Sequence, residues 1–202
     1  GKRFRYNVAP HGRRVSAQVE QAFRQALLHI ESLGGSVEPF EAQLDIEPLW
    51  RTVNHTVWRA RFAPLVQQHG DALSATFRRQ IESAQDYSAL DYQNAMFARS
   101  RLFHTVQGWL DDADFLVMPT LTRTALPLGT DIFDRMEIDG AEMGDIRANW
   151  YPWTMPFNMT GHPAVSIPCG FDSERLPVGL QIVAPMFCDA QMLQAAACLE
   201  AS

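Results

Sequence analysis

The sequence predicts an α/β fold: a partial mixed β-sheet flanked by helices. Three observations lead there. A strand-like run, an amphipathic helix and a second strand-like run follow one another within the first 40 residues. That is the pattern of a βαβ unit with parallel strands. The middle of the chain carries long apolar stripes at helical spacing. The last part holds short β-rich runs separated by turn residues, two of them spaced as a hairpin.

The βαβ start spans residues 3–40. Phe4 to Val8 alternates loosely and reads as a strand. Val15, Val19, Ala22, Phe23, Ala26, Leu27, Ile30 and Leu33 then fall on one helical face, with Ser16 as N-cap and Gly34-Gly35 as the stop. Ser36 to Phe40 is the second strand. A helical middle follows over residues 45–112. Leu49, Trp50, Val53, Val57 and Ala60 share a face, and Pro64 is expected to end that helix, since proline lacks an N–H and clashes with the preceding turn. A second helix is predicted from about Leu73 to Ala84 and a third from about Tyr87 to Leu110. The third carries Tyr92, Ala95, Met96, Leu102, Phe103, Val106, Trp109 and Leu110 as its stripe. Asp111-Asp112-Ala113-Asp114 breaks it.

Residues 113–202 supply the strand, loop, hairpin and closing helix. Phe115 to Met118 reads as a buried strand closed by Pro119. Residues 121 to 149 show no clear periodicity and read as a long loop, a kind that is usually functional or mobile. The proline-punctuated segment after it reads as extended or turned backbone. Ala164 to Pro168 and Val178 to Val183 read as strands joined by Asp172 to Pro177, and Ala190 to Glu200 as the last helix. There is no internal repeat.

Composition narrows the function. The 202 residues make one large domain or part of a larger one. Hydrophobic residues are 47% and charged residues 20%, which suits a packed core. A net charge of -6 without a basic stripe argues against nucleic acid. No apolar run approaches the ~20 residues of a membrane span. The basic start Gly1-Lys2-Arg3-Phe4-Arg5-Tyr6 lacks the apolar region of a secretory signal, so a cytoplasmic location is expected. Cys169, Cys188 and Cys198 form no C-x-x-C pair, and neither metal nor cofactor is expected. His11, His29, His55, His69, His104 and His162 lie singly. There is no G-x-S-x-G, P-loop, G-x-G-x-x-G or H-E-x-x-H. Of the 17 Lys and Arg residues only Lys2 is lysine, so a buried catalytic lysine has no place in this sequence.

The most distinctive stretch is Trp150 to Phe171. Trp150, Tyr151 and Trp153, followed by Phe157, suit an apolar wall for a ligand; the same composition also suits a proline-shaped plug of the core. The run Thr154-Met155-Pro156-Phe157-Asn158-Met159-Thr160-Gly161-His162-Pro163-Ala164-Val165-Ser166-Ile167-Pro168-Cys169-Gly170-Phe171 resembles the C-terminal part of the amidase signature family, as does Leu176-Pro177-Val178-Gly179-Leu180-Gln181-Ile182-Val183-Ala184-Pro185. Arg175 stands where that family often has glycine. Asp114 to Thr120 is similar to the family's strand ending in P-T, and Phe4 to Phe40 to the strand, helix and strand after its catalytic region.

The resemblance implies hydrolysis of C–N amide bonds by a Ser–cis-Ser–Lys triad, in which a base activates a weak hydroxyl nucleophile. It also implies backbone donors for the oxyanion. The triad and its serine-rich segment are expected in an N-terminal half not contained in this sequence, so no catalytic residue is assigned and the chain alone is expected to be inactive. Its part would be one wall of the cleft for a small amide substrate. Trp150, Tyr151, Trp153 and Phe157 are the expected lining, Asn158 a polar contact, and Arg147 a partner for an anionic substrate group. Two other readings compete: a non-catalytic binding module derived from an amidase, and a hydrolase with a triad built on a histidine. An exposed sheet edge is expected to favour self-association.

Overall fold

The computed structural model describes residues 1–201, the side chain of His11 excepted. The chain opens as predicted. Strand β1 (Arg3–Tyr6), helix α1 (Ala17–Ser32) and strand β2 (Ser36–Pro39) form a unit in which β1 and β2 are parallel, Arg3 opposite Ser36. The Ser16 hydroxyl accepts the Val19 N–H at 3.3 Å and so satisfies one of the free donors at the helix start. Val19, Phe23, Leu27 and Ile30, spaced four, four and three apart, are the buried side of α1.

Three helices follow: α2 (Glu47–His69), α3 (Ala75–Glu82) and α4 (Ala89–Leu110). Pro64 does not end the first of them; α2 runs straight through it. Pro64 and Ala60, whose carbonyl loses its partner, are both exposed. Water can satisfy that carbonyl, and the break costs less than it would in a core. The expected apolar face holds only for the first turns: Leu49, Trp50 and Val53 pack on the core, whereas Val57 is 44% exposed. Helix α4 starts on a capping box between Ser88 and Asp91 and buries Ala95, Leu102, Val106 and Leu110.

Strand β3 (Phe115–Pro119) is buried at all five positions. The stretch expected to be a loop instead contains a hairpin, β4 (Arg135–Ile138) and β5 (Ala141–Asp145), and a short helix, α5 (Ile146–Trp150). Asp139 and Gly140 turn the hairpin with φ of 49° and 74°, the twist that favours an Asp-Gly pair. The hairpin buries Met136 and Ile138 against Ile146, a three-residue core too small to leave a visible period. The segment after it is not extended either: α6 (Thr154–Thr160) is helical, with Pro156 in its first turn, where no intrahelical N–H bond is needed. Strands β6 (Ala164–Phe171) and β7 (Pro177–Val183) make the expected hairpin, and α7 (Asp189–Glu200) closes the chain. Arg175 in that hairpin loop has φ 63°, which explains why glycine suits the position.

The sheet order is β2-β1-β3-β7-β6, with β1 parallel to β2 and β3, and β7 antiparallel to β3 and β6. The sheet is mixed and flanked by helices on both faces. On one face Phe115, Val117, Leu180 and Ile182 pack with α1 and with Met192 and Ala196 of α7. On the other, Leu116, Met118 and Val183 meet Leu102, Val106 and Leu110 of α4 and Met155 and Phe157 of α6. Each such side chain, once buried, stabilises the fold by about 1.5–3 kcal/mol. Toward the β6 edge this second face is uncovered: Ala164, Ser166 and Pro168 are exposed.

Candidate functional site

The end of β3 organises the region around the uncovered face. The Thr120 N–H donates to the Gly179 carbonyl at 2.8 Å. The Thr120 and Ser166 hydroxyl oxygens lie 2.6 Å apart. Gly179 sits beneath them, and a Cβ there would stand 2.7 and 2.9 Å from the two oxygens. Only glycine lets the pair close over β7. With Leu121, Arg123 and Thr124 these residues line a cleft of about 300 Å³. Thr122 ties the cleft to α5: its N–H donates to the Trp150 carbonyl at 2.9 Å and its hydroxyl to the Asn149 carbonyl at 2.6 Å. The Trp150 indole N–H donates to the Arg123 carbonyl at 3.1 Å.

The six residues singled out in the sequence fall into four environments. Trp150 and Tyr151 are half-buried neighbours, their ring centroids 6.0 Å apart. Trp153 and Phe157 stack at 6.4 Å inside the core under the sheet, 1% and 3% exposed. The Trp153 carbonyl accepts from Gln181 of β7 at 3.1 Å. Asn158 stands on the exposed side of α6. Arg147, in α5, is 1% exposed.

Arg147 brings in residues that the sequence pattern did not single out. Its guanidinium carbon lies 5.0 Å from the Trp50 ring centre and 5.2 Å from that of Phe133. Glu47 Oε1 is 3.8 Å from Arg147 Nε, but Arg51 already holds that oxygen at 2.8 and 2.7 Å. Burial pushes the Arg147 guanidinium down from its usual value and the Tyr151 hydroxyl up. His55 is fully buried, stacked on Trp58 at 5.7 Å, with Nδ1 2.6 Å from Ser83 Oγ. Burial, with Arg147 and Arg51 nearby, pushes its pKa down to about 4, so it is neutral at neutral pH. The available signal was a polar one: Glu47, Arg51 and His55 recur every fourth residue on one side of α2.

The remaining nucleophile candidates are poorly prepared. Burial pushes the Cys169 thiol up to about 11, which leaves it protonated at neutral pH. The Ser166 hydroxyl is engaged with Thr120 rather than with a base. His162 is buried, its Nδ1 2.8 Å from Thr160 Oγ1. Among the described residues neither His55 nor His162 pairs with a carboxylate. Among the same residues no group of three or more His, Cys, Asp or Glu is placed to hold a metal ion, and no helix is long and apolar enough to cross a membrane.

Comparison with known proteins gives a consistent picture. A family model described as Amidase matches residues 6–193. An acylamidase of Rhodococcus erythropolis is 28% identical over 196 residues, covering 93% of this chain and 39% of that protein. A fatty acid amide hydrolase of Medicago truncatula is 31% identical over 131 residues, 65% of this chain and 21% of that protein. Among solved structures, a bacterial aryl acylamidase of the amidase signature family superposes with a TM-score of 0.83 at 22% identity, over 100% of this chain and 43% of that one. The chain thus spans less than half the length of these relatives. With a family model running along nearly all of its sequence and the matching fold beneath it, the chain belongs to the amidase signature family.

Proposed function

We propose that this chain forms one wall of the substrate cleft of an amidase, a hydrolase of C–N bonds in small amides, and that the Ser–cis-Ser–Lys triad lies in sequence outside it. The observation that carries this reading is the place of the one lysine. Lys2 lies at the exposed N-terminal end of the inner strand β1, its ammonium 2.8 Å from Asp114, far from any service as a buried base. The whole chain is then the C-terminal portion of an amidase domain. Its contribution is geometric: the uncovered strand face at Ala164, Ser166 and Pro168 gives the catalytic portion a surface to sit against. Trp150, Tyr151, Trp153, Phe157, Asn158 and Arg147 shape the substrate side, the two core aromatics by holding α6 in place. A rigid wall positions an amide near its nucleophile and keeps water out.

The test is intact mass before and after a fluorophosphonate. The isolated 22.8 kDa chain should take up no adduct. Full-length enzyme carrying the upstream portion should take up one. An adduct on the isolated chain would overturn the reading and favour a histidine-based triad. The uncovered β6 edge also leads to self-association of the isolated chain, which light scattering reads directly.

A further inference from the structure

We propose that Arg147, set between Trp50 and Phe133 with Tyr151 beside it, is a subsite for a carboxylate, so that the amides served by this cleft carry a negatively charged group on an aromatic or similarly flat frame. This rests on the cleft-wall reading above and adds the substrate class.

The argument starts from hydrogen bonds. All three guanidinium nitrogens of Arg147 are buried, and none has an acceptor. A buried ionised donor without a partner is among the costlier arrangements a fold can hold. The local groups relieve the charge only in part and supply no hydrogen bond. Glu47, the nearest carboxylate at 3.8 Å, is already taken by Arg51. Asp131 accepts from the Phe133 N–H at 2.9 Å. His55 supplies no negative charge: the Ser83 hydroxyl donates to the Gln80 carbonyl at 2.8 Å, so Nδ1 carries its hydrogen toward Ser83, and burial keeps the ring neutral. Trp50 and Phe133 stabilise the cation through their π faces, but those faces accept none of its in-plane N–H hydrogens. What the position lacks is a planar, two-oxygen acceptor, and a carboxylate matches the guanidinium fork in both charge and shape. The neighbouring rings, Trp50 at 5.0 Å and Phe133 at 5.2 Å from the guanidinium carbon, give the site apolar aromatic surroundings that suit a flat group attached to that carboxylate. Trp50, Phe133 and Tyr151 are half-buried, so the cover over Arg147 is one side chain deep and reaches the surface.

The test uses the purified chain, with benzoate as the probe and benzamide as its neutral twin, at constant ionic strength. Benzoate should raise the melting temperature with dose and bind by calorimetry; benzamide should do neither. Arg147→Met should abolish the benzoate response while melting no lower than the parent without ligand, because it removes an unmet buried charge. Arg147→Lys, which keeps the charge but not the fork, should weaken benzoate by at least about tenfold. Equal responses to benzoate and benzamide would overturn the proposal. So would an Arg147→Met variant that melts well below the parent while benzoate leaves the parent unmoved, which marks a structural arginine. Neither readout needs hydrolysis. Benzoate binding without a fluorophosphonate-reactive full-length enzyme would keep the subsite and lose the amidase reading; the converse would keep the amidase and lose the subsite.

Discussion

Helices α1 and α2 use opposite means to stay on the molecule. Helix α1 buries Val19, Phe23, Leu27 and Ile30 in a continuous apolar stripe against the sheet. Helix α2 has 23 residues to the 16 of α1, yet among the described residues its fully buried positions are Glu47 and His55, both polar. Its packing on the core under the sheet comes from its first two turns; further along Phe62 meets Phe77 of α3 at 5.6 Å, and Val57 and Leu65 remain 44% and 38% exposed. A helix whose inner side is apolar is there to hold the fold together. One whose inner side holds a carboxylate and an imidazole beside a buried guanidinium depends instead on electrostatics that pH can change.

The contrast can be broken most forcefully on the α1 side. Phe23→Ala removes a side chain that is 0% exposed and should cost about 3–5 kcal/mol, measured as a fall in the urea midpoint. A loss below about 1 kcal/mol would mean that α1 is not the anchor described. On the α2 side the lever is acid. The His55 pKa near 4 in the folded chain lies below its unfolded value of about 6.5. The unfolded state therefore binds the extra proton, and stability should fall by about 2–3 kcal/mol as pH drops from 6.5 to 4. Burial shifts His162 in the same direction and adds to the slope. His55→Gln should flatten the urea midpoint measured across that range, and an unchanged slope would assign the acid sensitivity elsewhere. The smallest effect is expected on the outer side of α2. Val57→Ser should change stability by less than about 0.5 kcal/mol for the isolated chain, and a larger loss would show that this surface is covered in solution.

The same contrast separates what the sequence disclosed from what it concealed. Helix α1 and the β6–β7 hairpin were readable because their apolar residues repeat at the period of the element they form, and β3 because its apolar run is short, unbroken and closed by Pro119. Pro64 misled because its effect depends on whether the freed carbonyl sees water, which only the fold decides. The β4–β5 hairpin was missed although Asp139-Gly140 is a strong turn signal: the apolar residues on either side are too few to show alternation. The Arg147 neighbourhood was half legible. Arg147 itself stood out, but Trp50 and Glu47 come from about 100 residues earlier and Phe133 from a stretch without periodicity. Trp153 and Phe157 were readable as large apolar groups, while their burial under the sheet rather than at a surface depends on α6 being a helix.

Strand β3 has one more consequence, for the order in which the molecule comes into being. It pairs on one side with β1, Phe4 against Phe115, and on the other with β7, Leu116 against Val183. During synthesis β1, α1 and β2 leave the ribosome before β3, the strand that completes their sheet, which is made more than a hundred residues after β1, and its other neighbour later still. Contacts this distant in sequence slow folding, and they leave the apolar side of α1 uncovered while the rest of the chain is being made. Chaperone supply and translation speed are therefore expected to affect the yield of this protein alongside its final stability.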